Sequence, residues 1–189
     1  MIIIFGLGNP GKEYEKTFHN VGFNFVNEIA KKLNLSFSMK KSVNAEIAEG
    51  KISMQEIYSA FNINKKSDKQ EKIVLVKPQT YMNLSGQAVF AVMKKYGAKL
   101  SDIVVALDDI DLPISKFRIR ESGSAGTHNG LRNITSLLGS GDFKRVRIGI
   151  DGERKGDLAS YVLSKMNDEV YEKISLATSE AIKGLFENC

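Results

Sequence analysis

The chain has one cysteine, Cys189, and so no intrachain disulfide is possible. Such sparing use of cysteine fits a reducing compartment, and a cytoplasmic location is expected. No stretch approaches the roughly 18 consecutive apolar residues of a spanning helix, and the N-terminus lacks a basic lead-in and a small-residue cleavage site. Membrane spanning and export are therefore not expected. Internal repeats are absent, and so is any Gly-x-Ser-x-Gly nucleophile motif, which turns attention from covalent catalysis to activated water. Only two histidines occur, His19 and His128, so there are two candidates for an imidazole that carries protons near neutral pH. The 189 residues, 42% of them apolar, suit a single domain over 1–189 whose core is large enough to need no metal or disulfide. The net charge of +5 permits a polyanionic partner without requiring one.

The apolar run Met1–Phe5 reads as a short buried strand. Gly6 to Gly11 then turns the chain, which sets Asn9 at a strand's C-terminal end, where open α/β sheets bind ligands. Val21, Phe25, Val26, Ile29 and Leu33 recur at helical spacing. Residues 43–48 and 51–58 suggest a hairpin around Glu49-Gly50-Lys51. The charged, aperiodic stretch 62–72 reads as an exposed, mobile loop. Further strands are expected at 73–76, 103–107, 116–120 and 145–150, and helices at 83–96, from about 130 to 138, and over most of 156–187. The acidic cluster Asp108-Asp109-Ile110-Asp111 should close the third strand, with Leu112-Pro113 as a turn. Alternating strands and helices predict an α/β fold: one three-layer α/β/α domain around a mixed, mostly parallel sheet.

Gly6-x-Gly8-x-x-Gly11 formally matches the dinucleotide fingerprint, which raises an NAD(P)-linked oxidoreductase. Two features oppose it: the helical pattern starts about nine residues late, and no acidic residue ends a second strand about twenty positions on. A plainer alternative is a tight turn in which Asn9 satisfies local backbone.

Four segments together resemble bacterial peptidyl-tRNA hydrolase. They are Gly6-Leu-Gly-Asn-Pro-Gly11 with Thr17-Phe-His-Asn20; Lys77-Pro-Gln-Thr-Tyr-Met-Asn-Leu-Ser-Gly86; Asp108-Asp-Ile-Asp-Leu-Pro113; and Gly123-Ser-Ala-Gly-Thr-His-Asn-Gly-Leu131. They stand in the family's order across nearly the whole chain, and Arg145-Val-Arg-Ile-Gly-Ile150 fits its later strand. The resemblance implies a cytoplasmic monomer that hydrolyses the ester between a peptide and the 3′ end of a tRNA, with no metal and no cofactor. It implies His19 as base with Asp108 as its partner, and a substrate channel lined by Asn9, Asn83 and Asn129, with Met82 and Tyr14 beside it. Arg120 and Arg147 fall where the family clamps a tRNA phosphate. The chain departs from the family at Phe18, commonly Arg, and at Leu107-Asp108-Asp109, often His-Asp-Glu. It also departs in the 62–72 insertion and the short C-terminus.

The residues themselves support the same chemistry. A neutral imidazole can take a proton from water while a carboxylate on its other nitrogen fixes the tautomer. Asn amides can donate to a developing oxyanion. His128, beside a helix start, is the rival base. The Asp108/Asp109/Asp111 cluster raises a Mg²⁺-dependent phosphohydrolase, although no second acidic motif accompanies it. Met82 could simply be core, and Tyr14 simply surface. Arg118, Arg120, Arg145 and Arg147 alternate along two strands, so each pair shares a side. That side is either a solvated face or, in a non-catalytic RNA-binding module, the whole of the function.

Overall fold

The computed structural model describes residues 1–152 and 156–188; Cys189 lies outside the described residues. Ile2–Gly6 (β1) is at its centre. Ile3 and Phe5 face one side of the sheet and Ile4 the other, all fully buried. A strand covered on both faces carries this kind of uninterrupted apolar run.

Around it stand Ser38–Lys40 (β2), Ala45–Ser53 (β3), Gln70–Pro78 (β4), Ile103–Pro113 (β5), Phe117–Arg120 (β6) and Lys144–Asp151 (β7), in the order β2-β3-β4-β1-β5-β7-β6. The central strands β4, β1, β5 and β7 run parallel, and the outer pairings β2–β3, β3–β4 and β6–β7 are antiparallel. One face is covered by Val21–Lys32 (α1), Met54–Ala60 (α2), Leu158–Leu163 (α5) and Asp168–Glu187 (α6). The other is covered by Ser85–Tyr96 (α3) and Asn129–Leu138 (α4). This is the expected three-layer α/β/α fold with a mixed sheet. Each fully buried large aliphatic side chain contributes about 1.5–3 kcal/mol, and the burial on both faces is what fixes β1 and β5 in the middle. Among the described residues no helix is long and apolar enough to cross a membrane.

Three local expectations need correction. There is no hairpin at 49–51: Ala45–Ser53 is one strand, and Gly50 pairs with Ile73 inside it. Leu35 occupies the space that a side chain at Gly50 would need, with Cδ2 only 2.8 Å from a Cβ built there. Residues 54–60 are helix because Ser53 and Glu56 form a capping box, the Glu56 N–H donating to Ser53 Oγ at 3.1 Å and the Ser53 N–H to Glu56 Oε2 at 2.9 Å. The acidic cluster does not close β5 and Leu112-Pro113 is not a turn, because β7 supplies partners beyond Leu107: Ile148 for Asp108, Gly149 for Asp109 and Asp151 for Pro113. Finally, 70–72 belong to β4 and not to the charged loop, with Glu71 buried and ion-paired to Lys69 at 2.8 Å.

Candidate active site

The loops after β1 and β4 meet the 121–128 loop and α5 around a cavity of about 860 Å³. His19 lies in a single 3-10 turn, Phe18–Asn20, just before α1. Asn20 locks this turn to the glycine loop: its Oδ1 accepts the Asn9 N–H at 2.8 Å and its Nδ2 donates to Asn9 O at 3.0 Å. His19 Nδ1 is thereby held 3.0 Å from both carboxylate oxygens of Asp108, 89 residues away. β1 pairs with β5 only as far as Ala106, so Asp108 projects where β1 has ended and the loop carrying His19 takes over.

The second histidine meets the same carboxylate. His128 Nε2 is 3.0 Å from Asp108 Oδ1. His128 also caps α4, its Nδ1 accepting the Leu131 N–H at 3.2 Å. A nitrogen that accepts a backbone N–H carries no proton, so the ring's proton sits on Nε2 and is donated to Asp108. His128 thus has no lone pair to offer substrate, whereas His19 gives its Nδ1–H to Asp108 and keeps Nε2 for the cavity. Burial disfavours the charged His19 ring, but the Asp108 charge and hydrogen bond outweigh it and raise the His19 pKa above its ordinary value. Burial alone would raise the Asp108 carboxyl, yet electrostatic attraction to the His19 and His128 rings and the hydrogen bonds from them hold it well below the usual carboxylate range. Among the described residues these three side chains are the one group with the composition of a metal site. Their hydrogen bonds already use the Asp108 oxygens, Nδ1 of His19 and both ring nitrogens of His128.

Asn9, Asn83 and Asn129 all line the cavity. Asn9 is buried, and its Oδ1 accepts the Met82 N–H at 2.8 Å, which orients Nδ2 as the remaining donor. Asn83 and Asn129 are exposed, one in the 3-10 turn before α3 and the other at the start of α4. Met82 is both lining and core. It is buried, and its Sδ comes so close to Gly130 that a Cβ there would stand at 2.5 Å. Tyr14 is half-buried and meets Tyr81 edge to face at 6.4 Å.

All four arginines of β6 and β7 share one face, since Arg118 is registered opposite Arg147 and Arg120 opposite Arg145. Arg147 lines the cavity, its Nε in ion contact with Asp109 Oδ2 at 2.8 Å. Arg120 is exposed on the edge strand outside the cavity lining, a diagonal neighbour of Arg147. Arg145 is buried and not solvated. It donates to the carbonyls of Gly123 at 2.9 Å, Ser124 at 3.1 Å and Gly141 at 2.6 Å, and so shapes the loop that delivers His128.

Sequence reasoning missed Tyr81, Asp109 as a cavity residue, Arg132, and the apolar wall of Leu158, Val162 and Leu163 on α5. The wall residues repeat at helical spacing but carry no chemical mark that separates them from core. The dinucleotide alternative finds no support, because the glycine loop leads into two 3-10 turns, Lys12–Tyr14 and Phe18–Asn20, and does not open a helix at once. Gly6 and Gly8 serve the close packing of α1: a side chain at Gly6 would overlap the Gly22 carbonyl, and a Cβ at Gly8 would stand 2.7 Å from the Phe23 ring.

Comparison with known proteins gives one consistent result. The family model described as Peptidyl-tRNA hydrolase matches residues 3–188. A peptidyl-tRNA hydrolase of Caldanaerobacter subterraneus subsp. tengcongensis is 43% identical over 191 residues, covering 100% of this chain and 94% of that one. One from Pediococcus pentosaceus is 42% identical, covering 98% and 91%. The crystal structure of peptidyl-tRNA hydrolase from Acinetobacter baumannii superposes with a TM-score of 0.84 at 30% identity, over 100% of this chain and 89% of that one.

Proposed function

The chain belongs to the peptidyl-tRNA hydrolase family, and we propose that it hydrolyses the ester of peptidyl-tRNA with water that His19 deprotonates. The observation that carries this reading is the single open-faced imidazole: His19 Nδ1 is 3.0 Å from both Asp108 oxygens while Nε2 is left to the cavity. Water between Nε2 and the ester carbonyl gives up its proton as it attacks, and Asp108 stabilises the imidazolium that forms. Asn9 Nδ2, with the amides of Asn83 and Asn129, is suited to donate to the oxyanion and to grip the peptide backbone. These groups are neutral, so peptides with varied side chains meet no charge penalty. Collapse of the tetrahedral intermediate expels the ribose 3′ oxygen, which takes the proton back from His19. The products are free tRNA and peptide.

No metal or cofactor enters this scheme. An N-blocked aminoacyl-tRNA incubated with the protein should be cleaved at the ester equally with and without EDTA. Cleavage abolished by chelator and restored by a divalent ion would replace water activation by His19 with a metal mechanism. A substrate that belongs to translation fits a cytoplasmic enzyme, and one cavity complete within one chain fits a monomer.

Arg147, together with the exposed Arg120, serves to hold a tRNA phosphate. Phosphate contacts contribute affinity and salt dependence and leave the chemistry alone. Arg120→Ala and Arg147→Ala should each raise KM for full-length substrate and flatten its dependence on salt, with kcat nearly intact. Hydrolysis of a peptide ester of adenosine, too short to reach the clamp, should hardly change. Equal losses on both substrates would put these arginines in the catalytic centre or the fold.

A further inference from the structure

Building on the assignment of His19 as base, we propose that Phe18 and Tyr161 form an aromatic clasp that holds the turn bearing His19 against α5, making both of them positioning residues for the hydrolysis.

A three-residue 3-10 turn has little hold on its own geometry, and Phe18–Asn20 has no side-chain cap. Its shape must come from its two ends. The C-terminal end is the polar lock of Asn20 onto the Asn9 backbone described above. The N-terminal end is aromatic. The Phe18 ring lies on the Tyr161 ring with centroids 4.7 Å apart and planes 21° apart, and both residues are buried. The backbone follows the rings: the Phe18 N–H donates to Ser164 O at 3.3 Å, Thr17 bridges Lys165, and the Met166 N–H donates to Lys16 O at 2.9 Å. Tyr161 is itself tied down, its hydroxyl donating to Ile150 O at 2.6 Å near the end of β7.

His19 is thus suspended between a hydrogen-bonded neighbour and a stacked one. The arrangement matters because Nδ1 must meet both Asp108 oxygens at once, and hydrogen bonds weaken steeply as they lose alignment. Tyr161 also lies on the helix whose Leu158, Val162 and Leu163 form the apolar wall of the cavity. One ring pair therefore sets the base and the wall relative to each other.

The test compares Phe18→Leu, Tyr161→Leu, their double variant and Tyr161→Phe. Displacing a catalytic group by a fraction of an ångström to 1 Å costs up to about 10²-fold, so each Leu variant should lose about tenfold in kcat with KM within about threefold. The downfield proton resonance of His19 Nδ1–H, shared with Asp108, should broaden or vanish in the Leu variants. Tyr161→Phe keeps the ring and should retain both the resonance and kcat within about threefold. The double variant should be no slower than the worse single, since either change alone opens the clasp. Leu variants that melt at lower temperature yet keep kcat and the resonance would reduce the clasp to a purely structural contact and overturn the proposal. If Phe18→Leu does not fold, the contrast between Tyr161→Leu and Tyr161→Phe decides alone. His19→Ala is run beside them: full activity there removes His19 as base, while the resonance in the other variants still reports whether the clasp orients the ring.

Discussion

A His19→Ala variant should fold and hydrolyse peptidyl-tRNA roughly 10²–10⁴-fold more slowly in kcat, the usual contribution of a general base. KM should stay close to the wild-type value, because the Asn amides and the arginines that hold substrate are untouched. Folding should survive because Phe18 and Asn20, on either side of His19, keep their own anchors in Tyr161 and Asn9. The sharper comparison is with His128, which meets the same carboxylate at the same 3.0 Å but spends its other nitrogen on the Leu131 N–H. His128→Ala removes one hydrogen bond to Asp108 and one cap of α4, so it should slow the reaction less than His19→Ala does. Single-turnover rates on both folded variants check this. Unaltered turnover in His19→Ala, with His128→Ala inactive, would reverse the two roles.

The acidic limb of the pH profile has a sign that follows from the same pair. A base works deprotonated, so kcat/KM rises with pH through the pKa of His19 in the free enzyme. Asp108 holds that pKa above the ordinary imidazole value, and the limb should therefore lie above the pH at which an unperturbed histidine titrates.

How far these features could be read in advance depended on whether they were local. Ile2–Gly6 is buried on both faces and announces itself by composition, and α1 announces itself by the spacing of Val21, Phe25, Val26 and Ile29. His19 and Asp108 could each be named as chemically apt, and the resemblance to the family paired them. Their contact, however, depends on β1 ending at Gly6 while β5 runs on to Pro113. The link from Asp108 to His128 was not legible, since it rests on Arg145 gathering the carbonyls of Gly123, Ser124 and Gly141 from below. In sequence Arg145 is one more alternating basic residue, and nothing local marks it as buried. Strand propensity around Gly50 suggested a turn and a second strand, and there the capping box of Ser53 and Glu56 started a helix instead. The α5 wall escaped notice for the opposite reason: its leucines and valine look like any core.

Asp108→Asn should preserve the fold and lower kcat by up to about 10⁴-fold, the cost of a wrongly held imidazole tautomer in the Ser-His-Asp triad. The two residues are nearly isosteric, but the amide has only one accepting oxygen. In the native site Oδ1 lies 3.0 Å from both His19 Nδ1 and His128 Nε2, and Oδ2 lies 3.0 Å from His19 Nδ1. If the amide oxygen takes the Oδ1 place, it still accepts from both rings, but the NH₂ group then stands 3.0 Å from the same His19 nitrogen, donor facing donor. That repulsion disfavours the tautomer with its proton on Nδ1, the one that leaves Nε2 free as a base. If the amide turns over, the NH₂ group meets both rings and His128 must give up its tie to the Leu131 N–H as well. Neither orientation keeps a negative charge beneath the imidazolium, so the transition state loses its electrostatic support in a buried site. Whatever activity remains should also show its acidic limb moved to lower pH, because the charge that raised the His19 pKa is gone. The neighbouring carboxylate supplies the control. Asp109 faces Arg147, and Asp109→Asn should act on KM for full-length tRNA more than on kcat. A silent Asp108→Asn beside a damaging Asp109→Asn would move the orienting role one residue along β5, and the His19–Asp108 contact would lose its catalytic meaning.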